Sequence, residues 1–95
     1  MKSTQSQTAL EHRILQGLSF EWETALWVLE EPHRQRMRPP LFRLRDYRRT
    51  WGTWSRKRRE ISLSRDLVLR NSWDAVVEVL LHEMAHQFAE EVLGA

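Results

Sequence analysis

His82-Glu83-Met84-Ala85-His86 sets two imidazoles four residues apart, with a carboxylate beside the first. On a helix, residues four apart stand one above the other, so both rings can converge on a single metal ion. Glu83 then projects beside them, placed to take a proton from a water held by that metal. A bound zinc makes such a water acidic near neutrality and polarises a substrate carbonyl, and the glutamate acts as general base. The chemistry implied is peptide-bond hydrolysis by a metal-activated water, with His82 and His86 as ligands. The chain has no cysteine, so any metal sits on His, Asp or Glu, a donor set that suits zinc. The competing reading is a pair of structural histidines, which would be costly on an apolar helix if they held nothing.

A catalytic zinc normally takes three protein ligands and keeps a fourth position for water. No histidine follows His86. Glu90 shares its face, but the rise from His82 to Glu90 is about 12 Å, too far for one ion to join all three. Glu91 points elsewhere, and no spacing recommends His12 or His33. The expectation is that the third ligand lies beyond Ala95, which makes residues 1–95 one domain incomplete at its C-terminus.

The motif needs a helix and a surface to hold it. Asn71 or Ser72 can cap that helix, Asp74 adds favourable charge to its first turn, and Gly94 is a stop. Trp73, Val77, Leu80, Leu81, Met84 and Phe88 form its apolar face, with Met84 and Phe88 read as core. Upstream, Thr8-Ala9-Leu10-Glu11 has the form of a capping box. Leu10, Ile14, Leu18, Trp22, Ala25 and Leu29 then follow a helical period, weakened at Gly17. Pro32 and Pro39-Pro40 punctuate an arginine-rich connection that cannot stay helical. Segments around Leu41–Arg45, Thr50–Trp54 and Glu60–Leu63 read as strands, the last two joined at Ser55-Arg56-Lys57-Arg58. Trp51 and Trp54 are expected to pack between sheet and helix.

Charge is unevenly spread. Residues 34–70 hold 13 basic and 3 acidic side chains, whereas 71–95 hold 5 acidic ones and no base, although the net charge is only +2. A basic middle third can be a footprint for nucleic acid, with Arg56, Lys57, Arg58 and Arg59 as the candidate patch, or a set of solvated strand edges and a turn. No segment has the apolar core of a signal peptide or the length of a membrane span, which points to a cytoplasmic protein without a membrane partner.

From about Arg48 to Phe88 the sequence resembles the SprT-like metallopeptidase family, which includes the Spartan proteases. The resemblance is carried by Trp51-Gly52-Thr53-Trp54, by Ile61-Ser62-Leu63-Ser64 with Leu67, and by Val79-Leu80-Leu81-His82-Glu83-Met84-Ala85-His86-Gln87. It is also similar to the related YgjP-like family. The order of elements, helix, small antiparallel sheet, helix, is an α+β layout, and the resemblance implies a minimal zincin-like fold: an N-terminal helix, a three-stranded sheet and a C-terminal HExxH helix. It implies zinc on His82 and His86, Glu83 as the catalytic glutamate, and a third histidine beyond the helix. Spartan proteases cleave proteins crosslinked to DNA, so the resemblance implies a protein or peptide substrate and admits DNA as a partner. Two alternatives stand beside it: a non-catalytic basic nucleic-acid-binding module, and an inactive truncated zincin-like domain.

Overall fold

A computed structural model describes residues 3–94. The element order is α1 (Ser3–Leu26), α2 (Glu31–Arg34), β1 (Leu41–Arg45), β2 (Gly52–Ser55), β3 (Glu60–Ser64), α3 (Arg65–Arg70) and α4 (Trp73–Glu91). This is the expected α+β order. The sheet, however, is mixed rather than antiparallel. Its strand order is β1-β3-β2, with β3 parallel to β1 and antiparallel to β2. The cause is the connection at 46–51, which crosses the C-terminal end of β3. The Ser64 N–H donates to the Trp51 carbonyl there at 2.8 Å. That crossing leaves β2 as a free edge.

Strand alternation gives the sheet two unlike faces. In register, Phe42 meets Ile61, Leu44 meets Leu63, Gly52 meets Leu63 and Trp54 meets Ile61. These residues form the inner face, which α1 and α4 cover. The core there is Leu18, Trp22, Leu44, Ile61, Leu63, Val76, Leu80 and Met84. The outer face carries Arg43, Arg45, Thr53, Ser55, Glu60, Ser62 and Ser64. Glu60 is buried there by its own neighbours: Arg45 reaches it at 2.8 Å, Arg43 at 3.4 Å, and the Ser62 hydroxyl donates to it. Burial alone pushes this carboxyl up, but the Ser62 and Arg45 hydrogen bonds and the two guanidinium charges outweigh it and hold Glu60 below its ordinary 4.5.

Several sequence expectations are corrected. The first helix already runs from Ser3, so Thr8 lies inside it rather than at its N-terminus. Its regular path ends at Leu26, before Leu29. Pro32 sits in the first turn of the short α2, the one helical position where its missing N–H is harmless. Helix α3 was not expected. Ser64 ends β3 and at once caps α3, its hydroxyl accepting from the Leu67 N–H. Trp54 packs on the inner face as expected, but Trp51 is 54% exposed, carried past the sheet end by the crossing loop.

Candidate active site

The described part of the motif lies wholly within α4, whose N-cap is Ser72, accepting from the Ala75 N–H. The buried stripe of this helix is Val76, Leu80, Glu83, Met84 and Gln87. It is turned slightly from the expected face, because Leu81 and Trp73 are partly exposed. Trp73 instead lies over Gly17 of α1, where an added Cβ would come within 3.1 Å of its ring. Its indole N–H donates to Glu21 at 2.9 Å. The glycine that weakens α1 as a helix therefore gives α4 its seat.

The second seat is Gly52 on β2. A Cβ there would stand 2.8 Å from Leu63 Cδ2, 3.0 Å from Val79 Cγ1 and 3.1 Å from the Ser62 carbonyl. Only glycine lets α4 lie this close to the strand. Further along, Trp54 donates to Glu90 at 2.8 Å, and Arg59 pairs with Glu91 at 2.6 Å. Glu90 and Glu91 are thus engaged in docking the helix, in keeping with their exclusion as ligands.

With α4 fixed on this line, His82 and His86 face outward and both are exposed. Their ring centroids are 4.9 Å apart with planes at 84°. Among the described residues neither imidazole has a hydrogen-bond partner. Glu83 is 6% exposed. Among the described residues it makes no hydrogen bond, yet no wholly buried side-chain polar atom there lacks a partner. Its carboxylate must therefore reach the adjoining cleft, which holds about 500 Å³ and is lined by Thr50, Trp51, Gly52, Glu78, Val79, His82 and Glu83.

The donor set fits zinc in kind: two neighbouring, solvent-facing imidazoles and a carboxylate opening beside them. It offers two candidate donors. Among the described residues no group of three or more His, Cys, Asp or Glu comes together around a metal position. His12 is exposed on α1, and His33 packs edge-on against Phe88 at 5.6 Å.

The four candidate basic residues do not form one surface. Arg56, Lys57 and Arg58 are exposed at the β2–β3 tip, at the far end of the hairpin from the cleft. Arg59 turns back under them. It pairs with Glu91 and donates to the Arg38 carbonyl at 3.0 Å, with its backbone in the left-handed region at φ 49°.

Three contributors were not singled out from the sequence. Gln87, fully buried, accepts from the Trp22 indole at 3.0 Å and donates to the Arg38 carbonyl and to Glu91. Glu78 and Thr50 line the cleft. Glu78 was within reach of sequence reasoning, since it stands one turn before His82 on the same face.

No curated protein and no solved structure matches the chain. The SprT-like family model matches residues 22–94, from the buried Trp22 of α1 through the whole of α4. That match spans most of the chain, and with the HExxH helix seated by Gly52 on an edge strand, the chain belongs to the SprT-like family, a family associated with zincin-like metallopeptidases.

Proposed function

We propose that this domain is a zinc-dependent peptidase, with His82 and His86 as metal ligands and Glu83 as general base. The observation that carries the reading is the pair of exposed imidazoles, 4.9 Å apart, beside Glu83, which lines the adjoining cleft together with His82. Zinc, when bound, acidifies water and polarises a carbonyl. The chain supplies the rest. Buried contacts fix the Glu83 stem, so its carboxylate is held toward the cleft and can take a proton and return it to the leaving amine. The start of β2 borders this cleft, and its free edge can hold an extended peptide by strand addition across His82 and Glu83.

Hydrolysis of a labelled peptide is the test. Glu83→Gln keeps the shape of the site and removes the base, so turnover should fall at least ~10²-fold, the scale of general-base catalysis. Equal rates for the two proteins would refute the assignment.

A second reading rests on Arg56, Lys57 and Arg58, which are exposed and, among the described residues, without ion pairs. Here the domain acts on DNA-associated protein, or only binds nucleic acid. Neutralising all three should weaken DNA binding and flatten its salt dependence by about two to three in log–log slope. Glu83→Gln separates the two forms, because binding alone survives it.

A further inference from the structure

The cleft beside His82 and Glu83 continues past Trp51. A groove of about 580 Å³ adjoins it, and Thr50 and Trp51 stand in the walls of both. The rest of the groove is lined by Asp46, Tyr47, Arg48, Arg49 and Asp66. The crossing loop that forms it is braced. The Tyr47 hydroxyl hydrogen-bonds Thr53 Oγ1 at 3.0 Å, Thr50 Oγ1 donates to the Gly52 carbonyl at 3.0 Å, and the Trp51 carbonyl accepts from the Ser64 N–H.

The charges in this groove are not equivalent. Asp46 is paired with Arg65 at 3.1 Å, and Asp66 faces Arg70 at 3.7 Å. Arg48 and Arg49 are exposed, and among the described residues neither has an ion-pair partner. Each of these guanidiniums, carried on a braced loop, presents a planar fork of donors that matches a carboxylate. The exposed face of Trp51 gives an apolar wall for the stem of such a side chain.

We infer that this groove is a specificity subsite for an acidic side chain of the peptide substrate, Asp or Glu, read by Arg48 and Arg49. The inference rests on the peptidase reading for the word substrate, but the subsite is a binding property and can be measured without turnover. A nucleic-acid strand fits the groove less well. Its successive phosphates would run along walls that also carry Asp46, Asp66 and, in the adjoining cleft, Glu78, whereas a single carboxylate needs only the two arginines.

The test uses the full chain carrying Glu83→Gln and pairs of fluorescent peptides identical except for one Glu or Gln, scanned along the peptide. At one position the Glu peptide should bind about three- to tenfold more tightly, as two solvent-exposed charge contacts would give. The preference should shrink with added salt. Arg48→Ala/Arg49→Ala should abolish it, Arg13→Ala on α1 should leave it intact, and Arg48→Glu/Arg49→Glu should transfer the preference to a Lys peptide. Equal affinity for Glu and Gln at every position, including no measurable binding of either, overturns the subsite. So does a preference that survives loss of both arginines, or displacement of the peptide by a DNA oligonucleotide that depends on Arg48 and Arg49. Glu83-dependent cleavage by the wild-type chain is scored separately. Its absence beside an intact Glu preference would refute the peptidase reading and leave the acidic-peptide site standing.

Discussion

Gln87 shows how much of the site depends on one side chain that touches no substrate. It follows His86 directly, lies at 0% exposure, and joins α1 through Trp22, the 38–40 segment through the Arg38 carbonyl, and α4 through Glu91. A buried donor left without its partner costs about 1–3 kcal/mol. Gln87→Leu keeps the volume but strands the Trp22 indole N–H, so it should lower the unfolding free energy by about that amount in urea titrations. Glu83→Gln, which changes one atom of a carboxylate facing the cleft, should shift stability by less than ~0.5 kcal/mol. The HExxH pattern was legible because its logic is local, three side chains within five residues of one helix. Gln87 was not, because its meaning comes from Trp22, 65 residues away. Trp51 was misread for the same reason. Its size argued for the core, but the crossing loop carries it beyond the sheet.

At the scale of elements, the site exists because one helix, α4, comes unusually close to its two supports, α1 and β2, at glycines. Gly52→Ala places a methyl 2.8 Å from Leu63 Cδ2, which forces a shift, and in tight contact with Val79 Cγ1 at 3.0 Å and the Ser62 carbonyl at 3.1 Å. Such overpacking typically costs 1–3 kcal/mol. The melting temperature should fall, and with α4 displaced from β2 the hydrolytic rate should fall further than stability alone requires. Val79→Ala removes one of these three close neighbours, so the double variant should lose less than the sum of the single losses in a double-mutant cycle. The two long helices, α1 and α4, and the three strands were readable from period and composition, whereas the short α2 and α3 were not. The sheet order was not, since three short strands admit a meander as easily as a mixed sheet. What decides is a six-residue loop crossing the end of β3, fixed by the Ser64–Trp51 hydrogen bond.

For the molecule as a whole, one sheet face is apolar and covered by helices, while the other is a polar layer organised around Glu60. Because Glu60 is held below its ordinary value in the folded state, the stability it contributes is fully present above the unfolded-state value. That contribution is lost as pH falls through the lowered folded value. Urea midpoints should therefore drop more steeply on acidification below about pH 4.5 in the wild type than in Glu60→Gln, which cannot titrate. At neutral pH, Glu60→Gln should be the less stable protein by about 1–3 kcal/mol, a range set by burial of the carboxylate and moderated by its partly exposed partner Arg45. The same layered build presents α4 outward at only one strip, the strip that carries His82 and His86. Among the described residues no helix is long and apolar enough to cross a membrane. The central claim is that this strip holds a metal. Its most direct test is zinc content by mass spectrometry of the purified chain after zinc loading, beside a His82→Ala/His86→Ala variant of equal fold by circular dichroism. Near-stoichiometric zinc is expected in the wild type and none above background in the variant. Equal zinc in both, or none in the wild type, would contradict it.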